Sequence, residues 1–138
     1  MAVYGEGYHV GFLLAGADMS TTASLAGLSG SGQFLAMKQS TAADNTALPC
    51  ATGNERTIGV LQNRPKSGQA CDIQQAGFTK AMYGGTVTRG DLLEIDSSGR
   101  FVTSSTTGHL VVGQASESGA LSEIHTINLF PGAPFLHP

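Results

Sequence analysis

The chain has 138 residues, 7 Lys plus Arg against 10 Asp plus Glu, a net charge of −3 and only 12% charged residues, where a soluble domain averages about 25%. The length suits one ordinary domain, and so few scattered basic residues make no cationic face for releasing phosphate counterions, so no nucleic-acid partner is expected. No apolar run approaches the ~18 residues of a membrane-spanning helix, so no membrane partner is expected either.

Residues 1–31 read as an N-terminal arm. Its only charged side chains are Glu6 and Asp18, it is rich in glycine and it has no sustained periodicity. Such a segment cannot bury enough of itself to hold a shape alone, so this chain or a neighbouring one must pin it. Residues 10–14, followed by Ala15-Gly16-Ala17, imitate a secretory signal, but no Lys or Arg precedes them; the segment is read as part of the mature protein. Residues 19–29 allow a helical turn or two, weakened by Thr and Gly.

From residue 32 the pattern is short strands between turn residues. Residues 34–38 form one expected strand and residues 57–62 another, ended by Asn63-Arg64-Pro65 because proline restricts its predecessor and donates no hydrogen bond. Cys71 and Ile73 alternate with Asp72 and Gln74, the period of a half-buried strand. Gly77 interrupts, residues 78–83 resume the alternation, and Gly84-Gly85 turn the chain. Residues 87–95 follow, then a turn at 96–99 in which Asp96 bonds forward and Gly99 takes a positive φ. Residues 101–102, 110–113 and 124–130 complete about eight strands.

The expected fold is all-β, a small barrel or sandwich over residues 32–130. Residues 131–138 form an extended C-terminal tail, since Pro131, Pro134 and Pro138 cannot continue a ladder. Gly77, Gly90, Asp91 and Gly99 read as fold-defining turn residues.

Chemistry-bearing patterns are sparse. Cys50 and Cys71 are too few for a disulfide scaffold and read either as one bridge or as two free, partly buried thiols. In residues 27–31, Ser31 stands where a nucleophile elbow needs its last Gly. Of His9, His109, His125 and His137, only His125 has a carboxylate in strand register, Glu123, and with no nucleophile that is a surface pair. Residues 94–99 lack the ligands of a calcium loop, and no zinc spacing or phosphate cradle occurs. No enzyme activity, metal or cofactor is expected. Ala36-Met37-Lys38, with residues 85–93, is similar to the attachment site of biotin carrier domains. However, Leu35 replaces the acidic residue and Gln39 the second Met, which leaves that reading remote.

One ordered series is more specific. It runs Ile58-Gly59-Val60-Leu61-Gln62-Asn63-Arg64-Pro65, then Gly77-Phe78-Thr79-Lys80, Val87-Thr88-Arg89-Gly90-Asp91, Gly99-Arg100 and Val112-Gly113-Gln114-Ala115, preceded by Gly16-Ala17-Asp18-Met19-Ser20. It resembles the capsid cement, or head decoration, proteins of tailed bacteriophages. The resemblance implies a non-enzymatic virion protein on the outer surface of the head, made in the host bacterial cytoplasm. It would clamp adjacent major capsid subunits, commonly as a homotrimer.

On that reading the arm is the main capsid-binding element, through Tyr4, Tyr8, Val10, Phe12, Leu13, Leu14 and Met19. Phe130 and Phe135 at the tail form a second contact. The competing expectation for Phe12, Leu13 and Leu14 is packing on their own domain. The alternative function is a host-surface, glycan-binding head fibre or adhesin, which needs an exposed aromatic cluster; outside the arms, Tyr83 and Phe101 are its candidates.

Overall fold

The computed structural model of the chain describes residues 13–20, 31–130 and 135–138, the side chain of Phe135 excepted. The helical turn expected over residues 19–29 lies, from residue 21 onward, outside them.

The described residues form twelve short strands and no helix. Strands β1 (Leu14–Ala15), β2 (Ala36–Gln39), β3 (Thr46–Pro49), β4 (Gly59–Leu61) and β5 (Ile73–Gln74) make one sheet, in the order β1-β3-β2-β4-β5. A second sheet takes β6 (Gly77–Met82), β7 (Leu92–Ile95), β8 (Phe101–Thr103), β10 (Gly113–Ala115) and β11 (Ile124–Leu129), ordered β6-β11-β10-β7-β8. Strands β9 (Leu110–Val111) and β12 (Phe135–Leu136) pair with each other, Phe135 opposite Val111 and Leu136 opposite Leu110.

The first sheet curls on itself through one extended segment. Residues 73–74 pair with β4, Val60 opposite Gln74 and Leu61 opposite Ile73. Just upstream, the Ala15 amide donates to the Gln69 carbonyl (2.7 Å) and the Cys71 amide to the Leu13 carbonyl (2.8 Å). Residues 69–74 therefore bond β1 along one edge and β4 along the other. With β1 also parallel to β3, Leu14 opposite Thr46, the strands close a small barrel. Main-chain groups of this chain thus hold the N-terminal segment from Leu13 onward.

Each sheet wraps its own core, and the two cores share a wall. The larger holds Tyr83, Phe101, Leu93, Ile95, Ile127 and Leu129 with Ala36 and Val60; the smaller holds Met19, Met37, Ala47, Leu61 and Cys71. Successive side chains of a strand point to opposite faces. Accordingly Ala36 and Val60 enter one core while their neighbours Met37 and Leu61 enter the other.

Expectation and structure part at several strands. The count is twelve instead of about eight. Strand β3 has no alternating pattern and ends in Pro49, yet it pairs with β2 because the proline sits at the strand end. Only Leu92–Ile95 of residues 87–95 is strand. Before it, Asp91 turns the chain by accepting the Thr88 amide (3.0 Å). Residues 110–113 divide between two sheets. Gly77 begins β6 at φ 83° instead of interrupting it. The tail also joins a ladder through Phe135–Leu136, because its prolines flank the paired residues. The turn at 96–99 forms as expected: Asp96 Oδ1 accepts the Ser98 and Arg100 amides (2.8 and 2.9 Å), and Gly99 has φ 76°.

Candidate interaction surfaces

Polar side chains that sequence alone marks as possible chemistry are tied into the scaffold. Lys38 lies within β2 and forms an ion pair with Glu55 (2.8 Å), so it is not presented at a hairpin tip as a carrier lysine must be. Burial alone would raise the Glu55 carboxyl. The Lys38 ammonium and the amides of Ala51 and Thr52 (2.8 and 3.1 Å) outweigh that and hold it below the ordinary value.

Cys50 and Cys71 are free and buried, one in each core. Burial pushes the Cys50 thiol up to about 12 and raises that of Cys71 as well. Neither offers the thiolate that nucleophilic or metal chemistry requires.

His125 does pair with Glu123, Nε2 to Oε1 at 3.0 Å, and Glu117 Oε1 approaches its other ring nitrogen at 3.7 Å. The imidazole lies over Tyr83, ring centroids 5.2 Å apart. The Tyr83 hydroxyl donates to the Glu117 carbonyl (2.7 Å). Burial first, and then the Glu117 charge, raise that phenol to about 12. Glu117 is lowered by the Thr126 amide it accepts, and Glu123 by His125 and the Ala120 amide. The cluster braces the turn before β11. Among the described residues no three His, Cys, Asp or Glu side chains are placed to hold a metal. A polar hollow of about 330 Å³ beside residues 39–45 is lined by a single hairpin loop, with Asp44 its only titratable group.

Surface character comes from apolar side chains that the sheets turn outward. Phe78 is 69% exposed, Leu136 62%, Leu121 58%, Ile124 42% and Leu14 40%. Phe78 and Lys80 project from the outer face of β6, while the intervening Thr79 is buried. Tyr83 and Phe101, the aromatic pair expected to stack on glycans, are both fully buried in the larger core. They cannot form that platform, because both point inward where the two strands bridge.

The arm candidates divide. Tyr4, Tyr8, Val10 and Phe12 lie outside the described residues. Leu13 packs against the smaller core, Leu14 points to solvent, and Met19 is fully buried in that core. At the tail, Phe130 is half-buried and its amide donates to Val112 (3.1 Å). Phe135 is held on the backbone ladder of β12. The tail end is fastened as well, by the His137 amide to the His109 carbonyl (2.7 Å) and the Gly108 amide to the His137 carbonyl (2.9 Å).

This fold has a known counterpart. The chain is similar in structure to the head fiber gp8.5 N base in bacteriophage phi29, with a TM-score of 0.61 and 16% sequence identity over 85% of this chain and 89% of that one. At that identity the likeness establishes the fold. No family model and no curated protein matches the sequence.

Sequence reasoning missed Phe78 as a surface residue. The alternation over 78–83 held a signal, because Phe78 shares its face with Lys80 and opposes Thr79.

Proposed function

We propose that the chain is a non-enzymatic structural protein of a tailed-phage virion. In this reading it is seated on the outer surface of the head as a base module of the head-fibre kind, docks on the major capsid protein and works as a homotrimer. The observation that supports it is the likeness in fold to a head fibre base along 85% of the chain. Composition agrees: a surface poor in charge and rich in Ser, Thr and Gly docks on protein without desolvating ions.

The narrower cement reading uses the same location and differs only in holding capsid subunits together with no fibre above them. The glycan-binding reading keeps its fibre but loses its platform, since Tyr83 and Phe101 are inside. Of the arm and tail residues named as contacts, Leu14 is available as it stands, whereas Met19 and Leu13 serve the fold.

The test is to find the protein on particles. Gradient-purified virions should contain the chain by mass spectrometry, and antibody labelling in electron micrographs should decorate heads. Absence from washed particles, or label confined to tails, would sink the reading.

A further inference from the structure

We infer that the outward face of β6, β11 and β10 binds a carboxylated glycan, one sugar ring stacked on Phe78 and its carboxylate held by Lys80. Strand register builds this face. Phe78 stands opposite Asn128, Asn128 opposite Gln114 and Gln114 opposite Leu92, so one row crosses four strands. Lys80 stands opposite Thr126 in the next row. The residues between them along each strand are buried, Thr79 on β6, Ile127 on β11 and Gly113 and Ala115 on β10. Alternation therefore turns the row residues to the opposite side of the sheet. Phe78 is the most exposed large hydrophobic among the described residues, and Lys80 and Gln114 are exposed as well.

The row matches what a sugar presents, an apolar C–H face bordered by hydroxyls. The Phe78 ring offers a flat apolar surface whose negative π-face attracts C–H groups. The Tyr83 amide donates to the Glu123 carbonyl (2.8 Å), so by alternation Phe78–Asn128 and Lys80–Thr126 are the non-hydrogen-bonded pairs, whose side chains stand closest. The Asn128 amide beside the ring has both donors and an acceptor for hydroxyls. Gln114 is held in place as its Nε2 donates to the Gly90 carbonyl (3.0 Å), which leaves Oε1 to accept. Two strand spacings set Phe78 and Gln114 about 10 Å apart, the breadth of two linked sugar rings.

Charge decides the kind of sugar. Lys80 is the one charged side chain that β6, β10 and β11 turn outward, and it lies about 7 Å along the strand from Phe78. It forms no ion pair with a described residue. Glu117, which feels the Lys80 charge, has its carboxylate on the Thr126 amide instead. A ring stacked on Phe78 can thus set a carboxylate against a cation that is free to receive it. A protein partner would need a continuous apolar centre. Here the Lys80–Thr126 row separates Phe78 from Ile124, the other exposed apolar residue of the face. This platform is distinct from the buried Tyr83 and Phe101, and the inference does not depend on the head location.

The test presents the full-length chain to an array of neutral and uronate-bearing oligosaccharides of matched length, with circular dichroism to check that each variant is folded. The native chain should retain the uronate-bearing set above the neutral one. Phe78→Ala should weaken retention about tenfold, whereas Phe78→Tyr should keep it. Lys80→Gln should lower retention of the acidic set about threefold, to the neutral level. No retention, equal retention of both sets, indifference to Phe78→Ala, or an acid preference that survives Lys80→Gln each overturns the inference.

Titration of the labelled chain with a retained oligosaccharide then locates the site. The amide resonances of Phe78, Lys80, Gln114 and Asn128 should shift; shifts confined to other residues overturn the assignment. If no glycan binds and Phe78→Ala lowers the mass seen by light scattering, the face belongs to a second copy and the inference falls. A chain found on purified heads that retains no glycan removes this inference and leaves the head reading intact, and a chain absent from heads that retains uronates through Phe78 does the reverse.

Discussion

Glu55 fastens a loop with its charge: one oxygen meets Lys38 and the other accepts two amides. Its carboxyl sits below the ordinary value of 4.5 when folded, so the unfolded chain holds the proton more readily. The stability it contributes is complete above that value and is lost as pH falls through the lower, folded one. Thermal melts from pH 7 to about pH 3 should therefore drop more steeply in the native chain than in Glu55→Gln. At neutral pH, Glu55→Ala should cost about 2 kcal/mol through the lost charge-assisted bonds.

Gly59 tests sterics at the same scale. Its φ is 149°, and a Cβ there would run into the Gln74 carbonyl and the Ile73 side chain. Gly59→Ala should cost about 3 kcal/mol. Gly68→Ala, strained in φ but with open space around it, should cost about 1 kcal/mol. Equal losses in denaturant titrations would contradict the close approach of β5.

At the scale of the element, β1 earns its place by closing a ring. It is two residues long, too short for any sequence period to reveal, yet it bonds both β3 and residues 69–71. Behind it, Met19 is fully buried and its amide donates to the Pro65 carbonyl (2.9 Å). Removal of residues 1–12, which keeps β1 and Met19, is the reference truncation. Removal of residues 1–19 should open the barrel and expose the smaller core, and Met19→Ala alone should cost about 3 kcal/mol. Dye binding and melting temperature of the two truncations would decide it; equal stability would rule out the closing role.

These short strands also show where the sequence was legible. Strands with a full alternation, β6 and β11, and the turn at Asp96–Gly99 could be read directly, because local chemistry specifies them. Strands β1, β3 and β12 could not, since runs of two to four residues, the last two of them beside a proline, gain their ladder only from distant partners. For the candidate surface, alternation marks which side chains share a face but not which face is inside. Tyr83 and Phe101 were therefore available to a glycan-binding reading until the sheets turned them inward, and Phe78 passed unnoticed.

For the whole molecule, the decisive feature is the wall between the two cores. Strands β2 and β4 each send one residue into the larger core and the next into the smaller, Ala36 and Met37, Val60 and Leu61. Neither core can lose its packing without stripping one face of these strands, and a strand so exposed loses the burial that holds its register. Residues 69–80 add a second tie, running from the barrel into β6 across the Gln75–Gly77 corner while Gln62 bonds Thr79 between the sheets. Two cores joined this way should behave as one cooperative unit despite having separate centres. In a chain carrying Cys50→Ser, Tyr4→Phe and Tyr8→Phe, urea unfolding followed at the smaller core, through the reactivity of the Cys71 thiol, should coincide with unfolding followed at the larger, through the fluorescence of Tyr83. Leu61→Ala and Leu93→Ala, one in each core, should each shift both transitions together by about 3 kcal/mol. A thiol that becomes reactive well before the tyrosine signal moves would show instead that the barrel opens by itself.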